Sequence, residues 1–478
     1  VFIPLSQLIG GAEMAGKGWN MLNECLAIGR SITLPSTASG DAKAGAVVTG
    51  AYARIRKQFG LSVGRFEGVE EALARIGGKA YAISALSQAT AAAVDRGDVP
   101  SVPSAIAKYH CTSMGREVIS DVMDVIGGKG IILGPRNFAG RAWQASPIAI
   151  TVEGANIMTR SLLIFGQGAI LCHPWVMKEM QAAQNPDHRQ GLEDFDRNLF
   201  GHIRYGISNA VRSFWFGITG AKFGAAPGDD YTRRYFRKLD RYSANLALMA
   251  DVSMLTLGGK LKFKESLSGR LGDVLSHIYM TSAILKRYHD DGAPEGDKPL
   301  LAWAFHDSVH RIETALSDAL RNFPIRPIGW LMWVLIFPWG RRAEAPGDRL
   351  SRRVAALLMA PNEARARLAQ GVFLTPCENN PGGRIASYLA KAVAAEPVER
   401  KFLKALKGKN IQALDYNAQL DEAVREGVLT ADERNQLAEL RAITLDAITV
   451  DDFDVHELRA ATHYDRATTG SQPARAVA

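Results

Sequence analysis

The chain has 478 residues, of which 47% are hydrophobic and 22% are charged. This length exceeds what one compact core usually serves, so two or three domains are expected. The net charge of +8 favours acidic partners, but the basic residues are spread along the chain without a zinc-finger, basic-zipper or RNA-binding signature, which argues against nucleic-acid binding. The four scattered cysteines lack CxxC or zinc-ligand spacing, which indicates a reducing compartment and argues against a structural metal.

The first fifteen residues read as the end of a strand and a glycine-rich turn, and nearly everything after them has a helical pattern. Helices are expected at about residues 17–57, 68–98 and 104–125, with shorter helical stretches on both sides of residues 150–154. Four or five helices joined by short loops predict an antiparallel bundle. No apolar run reaches the roughly 20 residues that span a bilayer. No signal peptide is visible, and because the chain does not begin with methionine, a preceding region is expected.

A polar stretch at residues 180–200 predicts a domain boundary, followed by a second helical region. In that region, apolar residues between positions 267 and 278 recur with the spacing of a helix that faces a core. Thr430 and Glu433 form a capping-box pattern, which predicts the start of a late helix.

Several common functional sites are missing from the sequence. Gly128, Gly130 and Gly134 follow a helical pattern instead of a strand and lack the spacing of a dinucleotide-binding turn. Neither a GxxxxGK[ST] phosphate loop nor a GxSxG nucleophile elbow occurs. His306 and His310 share a helix face without an obvious third ligand, which favours ordinary surface residues over a metal site.

Three features could carry chemistry, and each also has an ordinary explanation. The segment RKQFG at residues 56–60 ends a helix with an arginine, which matches phosphate oxygens or simply complements the helix dipole. Gly127 and Gly128 let the backbone approach a ligand closely, or merely end a helix. Glu153 lies in the apolar segment ITVEGANI, where partial desolvation would make it a stronger base, or it is an acid at a helix N-terminus.

In this order and spacing, the three features resemble the acyl-CoA dehydrogenase family, whose carboxyl-terminal helical domain carries R-x-x-F-G, G-G-x-G and E-G motifs. Longer stretches such as GWNMLNECLAIGRSITLPS and NLALMADVSMLTLGGKLKF are similar to the long bacterial fatty acyl-CoA dehydrogenases of the FadE type, so the resemblance covers essentially the whole chain. It implies an all-α fold. The implied domains are the last strand of a middle β-domain at residues 1–15, a carboxyl-terminal four-helix bundle at 16–182, an additional helical domain at 183–466 and a disordered tail at 467–478.

The resemblance implies FAD-dependent conversion of a medium- or long-chain fatty acyl-CoA to a trans-2-enoyl-CoA in fatty acid β-oxidation. Glu153 would remove the α-proton as a hydride leaves the β-carbon for flavin N5, and Arg30 and Gly154 would lie at the substrate. Some relatives carry the base one residue before this arginine; Gly29 stands there, which supports Glu153. The implied FAD contacts, some of them to a neighbouring subunit's cofactor, come from Arg56, Phe59, Asp124, Gly127 and Gly128.

The implied partners are an electron-transfer flavoprotein as electron acceptor and further copies of the chain, as a homodimer or homotetramer in the cytoplasm. The chain also departs from the family pattern. Ala155–Ile157 replace a common Thr-Ser-Gln, which removes two polar flavin contacts, and Asp124 stands where a glutamine is frequent. The apolar run at residues 328–339 contains three tryptophans between arginines and suits either peripheral contact with the inner membrane or a buried core helix. Acyl-CoA oxidase chemistry and a non-catalytic membrane-associated scaffold remain the alternatives.

Overall fold

A computed structural model describes residues 2–98, 100–224, 226–408 and 411–454. The described chain is helical almost throughout, so the expected all-α fold class is confirmed. A π-helical turn, Thr159–Ile164, joins the last two helices of the first region. In chain order these helices are α1 (Gly18–Ile55), α2 (Glu67–Asp95), α3 (Ser101–Ile126), α4 (Gly128–Ile131), α5 (Gly140–Ala145), α6 (Ile148–Thr151), α7 (Asn156–Met158) and α8 (Phe165–Leu171).

The second region continues with longer helices. They are α9 (Val176–Ala183), α10 (His188–Thr219), α11 (Arg233–Leu257), α12 (Glu265–Asp290), α13 (Lys298–Arg321), α14 (Arg326–Ile336), α15 (Asp348–Leu358), α16 (Glu363–Leu368), α17 (Pro381–Lys407), α18 (Tyr416–Arg425) and α19 (Ala431–Ile448). The predicted apolar stripe lies in α12, and the Thr430–Glu433 capping box begins α19, so both predictions are confirmed. The expected tail at 467–478 lies outside the described residues.

Two short segments differ from the expected pattern. Residues 2–15, expected to end a strand, contain no strand: they form two exposed 3-10 turns, Leu5–Gln7 and Ala12–Met14. A strand needs a hydrogen-bonded neighbour, and the described chain offers none to this segment. The only paired strands in the described residues are β1 (Lys57–Gln58) and β2 (Leu61–Ser62), an antiparallel hairpin directly after α1.

Helix α1 runs for 38 residues even though it contains Pro35. A proline inside a helix has no N–H for the carbonyl four residues earlier, here that of Ser31. The hydroxyl of Thr90 in α2 lies 3.0 Å from this Ser31 oxygen and can donate to it. A side chain of the neighbouring helix therefore compensates for the missing bond, and α1 continues.

Small residues let helices of both regions pack around one continuous core. A Cβ on Gly78 of α2 would lie 1.9 Å from the ring of Trp303 in α13, so only glycine permits this contact.

The expected boundary at residues 180–200 is mostly helical: only the short break between α9 and α10 interrupts it. The polar composition there reflects exposed helix surface, and Asp187 caps α10 by accepting two backbone N–H groups.

Candidate functional site

The turn between α6 and α7 holds its backbone in an unusual conformation. Glu153 has φ of 54° and Gly154 has φ of 98°, so both lie in the left-handed region. Among the described residues only four that are not glycine have positive φ, and two of them are Phe59 and Glu153, which the sequence had singled out. Such strain persists only where the surrounding structure holds it, and it often marks a functional site.

Two buried cations hold this turn from neighbouring helices. Arg30 of α1 donates from Nε to the Glu153 carbonyl at 2.7 Å. Lys108 of α3 donates from Nζ to the Gly154 carbonyl at 2.7 Å and to Oδ1 of Asn156 at 2.7 Å. Burial lowers the pKa of Lys108 to about 8, with the charge of Arg30 acting in the same direction and that of Glu153 opposing it. Burial also lowers the pKa of Arg30.

The carboxylate of Glu153 is half-buried and points toward α1. Its Oε2 is buried and has no hydrogen-bond partner among the described residues. A Cβ on Gly29 would lie 3.1 Å from Oε1, so a side chain at position 29 would reach the same place as the Glu153 carboxylate. Val152 and Ile157, expected to cover the carboxylate, are exposed, because the turn directs them outward.

The second candidate region lies at the other end of α1. The β1–β2 hairpin turns through Phe59 and Gly60, whose φ values of 52° and 79° are those of a type I′ turn. Phenylalanine is poorly suited to positive φ, yet its side chain is 93% exposed. Arg56 is half-buried and donates from Nη1 to the Tyr52 hydroxyl at 2.5 Å.

Arg56 and Gly128 line one cleft of about 280 Å³, together with Ile448 and Val450 from the late part of the chain. Gly127 has φ of 61°, and a Cβ on it or on Gly128 would meet no atom within 4 Å, so this backbone is open to a ligand. The structure therefore brings the arginine and the glycine pair together. It does not bring Glu153 to them, since Arg30 and Arg56 lie roughly 40 Å apart along α1.

Models of known families match almost the whole chain. The model described as "Acyl-CoA dehydrogenase, C-terminal domain" matches residues 16–164, and "Acyl-CoA dehydrogenase, C-terminal, bacterial type" matches residues 170–453. The chain belongs to the acyl-CoA dehydrogenase family. The resemblance inferred from the three sequence features is thereby confirmed.

A solved acyl-CoA dehydrogenase structure has a similar fold. The enzyme from Bacillus anthracis, complexed with FAD, matches with a TM-score of 0.53 and 15% identity, over 70% of this chain and 55% of that chain. Acyl-CoA oxidase-1 from Caenorhabditis elegans, complexed with FAD and ATP, has a TM-score of 0.48 and 13% identity, over 80% of this chain and 57% of that one. This chain thus spans little more than half the length of either protein.

One curated relative matches only locally. Protein HemX from Proteus mirabilis is 57% identical over 51 residues, which make up 11% of this chain and 30% of HemX. A match of this extent says nothing about the family of the whole chain.

Sequence reasoning missed the residues that support Glu153 and those that complete the cleft. Lys108 was visible as a lone charge in the apolar segment AIAKYHC, a pattern that indicates a buried and therefore paired cation. Asn156 was visible only as a departure from the family pattern, yet it accepts from Lys108 and donates to Thr112 at 2.9 Å. No local pattern could link Val450 to Gly128, because more than 300 residues separate them.

One cluster outside these sites could suggest a metal: His173, His202 and Asp251 offer ligand atoms within 4.8 Å of one another. The Nδ1 of His173 accepts two backbone N–H groups, so its Nε2 carries the proton that it donates to Asp251 at 2.8 Å. Burial opposes the charged form of His202, but its hydrogen bonds to Asp251 and Glu179 outweigh this and raise its pKa. The arrangement is that of a hydrogen-bonded ion cluster, since a protonated Nε2 cannot bind a metal.

The structure also shows where the remaining residues singled out in the sequence lie. His306 and His310, expected at the surface, are half-buried because α13 packs against other helices on several sides; burial lowers the pKa of His306 to about 4. In the apolar run, α14 is amphipathic: Met332 and Ile336 are buried, whereas Trp330 is exposed. No helix among the described residues is long and apolar enough to cross a bilayer.

Proposed function

We propose that this protein is a flavin-dependent dehydrogenase of medium- or long-chain fatty acyl-CoA in β-oxidation, with Glu153 as the base that removes the α-proton. The observation that carries the proposal is the Glu153 carboxylate itself. It lies in a strained turn fixed by two cations, and its buried Oε2 has no partner among the described residues. An unsatisfied carboxylate oxygen held in place is what proton abstraction from a carbon acid requires.

The turn also offers a way to acidify the substrate. The Glu153 N–H makes no hydrogen bond with the described residues, so it can donate to the thioester carbonyl of an acyl-CoA. A donor at that oxygen stabilises the negative charge that develops when the α-proton leaves for Glu153. The hydride from the β-carbon must be accepted by a bound cofactor, and FAD, which the two solved structures contain, supplies that chemistry when bound. The product would be a trans-2-enoyl-CoA.

The residues at the far end of α1 fit a flavin nucleotide. Arg56 can contact phosphate oxygens, Gly127 and Gly128 leave the backbone accessible, and the exposed ring of Phe59 can contact an aromatic surface. Asp124 is exposed one turn before the glycines. Because this end lies far from Glu153, we assign these contacts to the flavin of a neighbouring copy, which supports a homodimer or homotetramer.

The remaining assignments follow from the same reaction. Reduced flavin must be reoxidised, and an electron-transfer flavoprotein in the cytoplasm is the proposed acceptor.

Peripheral contact with the inner membrane is supported by the outward face of α14, where Trp330, Leu331 and Val334 are exposed. The guanidinium of Arg326 lies 5.9 Å from the ring of Trp330, which combines the aromatic and basic groups that favour a membrane interface.

The test measures how fast palmitoyl-CoA bleaches the flavin absorbance of the protein purified from its host. Removing a general base typically costs 10²- to 10⁴-fold, so Glu153→Gln should slow bleaching by about 1,000-fold. Glu70→Gln is the matched control, because Glu70 is also half-buried but pairs with Arg352 at 3.5 Å. Equal bleaching in wild type and Glu153→Gln would overturn the assignment of the base. Direct formation of hydrogen peroxide would identify an oxidase, and absence of any flavin would favour a scaffold.

A further inference from the structure

Lys108 is a buried cation, and the contacts in the fold do not explain why the cost of burying its charge is tolerated. Its side chain has no exposed surface, and no described carboxylate forms an ion pair with its ammonium group. It bonds two neutral oxygens, those of Gly154 and Asn156. Lys79 shows the ordinary arrangement nearby, because it is also buried but pairs with Glu117 at 2.6 Å. Burying a charge without an acid is unfavourable, so the position of Lys108 calls for a functional reason.

Through Lys108 and Thr112, helix α3 forms hydrogen bonds with the turn and with Asn156 just after it. Lys108 holds the Gly154 carbonyl and Oδ1 of Asn156, while Nδ2 of Asn156 donates to Thr112, one helical turn beyond Lys108. Arg30 of α1 holds the Glu153 carbonyl from the other helix. The strained Glu153–Gly154 peptide thus cannot relax to an ordinary turn without breaking bonds to both helices.

We propose that Lys108 is the positioning residue of Glu153: it fixes the turn that directs the carboxylate. This inference rests on the proposed function of Glu153 as a base. A charged donor holds a carbonyl more strongly than a neutral one, so the ammonium group fixes this turn more firmly than a neutral donor would. The Glu153 charge helps Lys108 to remain protonated against the effects of burial and of Arg30 on its pKa.

The first test compares Lys108→Met with Lys79→Met in the native enzyme. Displacing a catalytic group by about 1 Å can cost 10²-fold, so Lys108→Met should lower kcat with palmitoyl-CoA by about 100-fold. The KM and the flavin content should stay within about twofold, because neither substrate nor cofactor contacts Lys108 in this proposal. Lys79→Met, which removes another buried lysine, should leave kcat unchanged.

A second variant and a second measurement keep the inference testable if Lys108→Met folds poorly. Asn156→Ala removes one of the two Lys108 contacts and leaves the ammonium in place; we expect a loss of about tenfold in kcat. Amide hydrogen exchange reports on the turn without any reaction, since the Thr159 N–H is bonded to the Ala155 carbonyl at 2.9 Å. Exchange in residues 153–160 should become faster in Lys108→Met and Asn156→Ala but not in Lys79→Met.

The outcomes separate the two proposals. An inactive wild type defeats the proposed function, and hydrogen exchange then decides alone whether Lys108 holds the turn. Unchanged exchange in both site variants overturns the inference, whatever the activity. In an active wild type, unchanged kcat in both variants also overturns it, as does a loss that appears in KM instead of kcat.

Discussion

The two ends of α1 differ in how far this chain completes their chemistry. Near Arg30, hydrogen bonds from two neighbouring helices hold the strained turn of Glu153, and the Oε2 atom of its carboxylate lacks a partner among the described residues. Near Arg56, the equally strained Phe59 is exposed, and the backbone at Gly128 faces open space. On the proposed function, the base is preorganised within the chain, whereas the proposed cofactor contacts face outward, where we expect a neighbouring subunit.

The largest expected effect concerns the energetic cost of that preorganisation. In the unfolded chain Lys108 keeps its proton up to about pH 10.5, whereas in the folded protein burial lowers its pKa to about 8. Between these values folding releases a proton, so the free energy of unfolding of the wild type rises with pH. Relative to Lys108→Met, the wild type should gain up to about 3 kcal/mol between pH 7 and pH 10.5, at roughly 1.4 kcal/mol per unit.

The measurement is urea unfolding of both proteins at several pH values. Other titrating groups are common to the two proteins and cancel in the difference between their unfolding free energies. The unfolding free energy of Lys108→Met should exceed that of the wild type most below pH 8, and this excess should shrink above pH 8. A constant difference from pH 7 to pH 10.5 would mean that Lys108 is not a desolvated cation, and the contrast between the two ends of α1 would lose its main support.

The next effect tests how tightly the Glu153 carboxylate is held in its position. In Gly29→Ala, the added methyl group would lie 3.1 Å from Oε1 of Glu153, so the carboxylate must shift by a few tenths of an ångström. We expect kcat with palmitoyl-CoA to fall by about tenfold, which corresponds to about 1.4 kcal/mol. Gly40→Ala is the matched control on the same helix, because a Cβ there would meet no atom within 4 Å.

The two alanine variants should also differ in stability. Alanine is favoured over glycine in a helix by about 0.5–1 kcal/mol, so Gly40→Ala should raise the unfolding free energy while kcat stays unchanged. Gly29→Ala should gain less, because the crowded carboxylate offsets part of that benefit. If both variants retain full kcat, the turn is loose enough to accommodate the methyl group and Glu153 is not held as tightly as its contacts indicate.

Sequence reasoning identified the residues at both ends of α1 but not their surroundings. Glu153, Arg56 and Gly128 were recognisable because motifs are local, and the helices around them follow from periodicity and caps. The burial of Lys108 was recognisable from its apolar neighbours, but its contact with Gly154 was not, because Lys108 approaches from another helix. Similarly, the polar stretch at residues 180–200 suggested a boundary, whereas the fit of Trp303 against Gly78 joins the two regions into one core.

The smallest effect tests the open end of α1. Phe59 has φ of 52° and a side chain that is 93% exposed, so replacing it with glycine removes backbone strain and little packing. Left-handed backbone costs about 1–2 kcal/mol for an ordinary residue, and the greater freedom of glycine in the unfolded chain offsets part of the relief. Phe59→Gly should therefore raise the unfolding free energy by no more than about 1 kcal/mol, measured by urea unfolding.

The same variant should weaken flavin binding by a few-fold in the native enzyme, measured by flavin fluorescence on dilution. Ala293→Gly is the control, because Ala293 has the same kind of backbone strain with φ of 54° and belongs to the loop after α12. Both variants should gain similar stability, and only Phe59→Gly should release flavin more readily. Because the Phe59 ring is almost fully exposed, equal flavin retention in the two variants would leave this ring without a proposed function and would remove the outward-facing cofactor contact from the comparison.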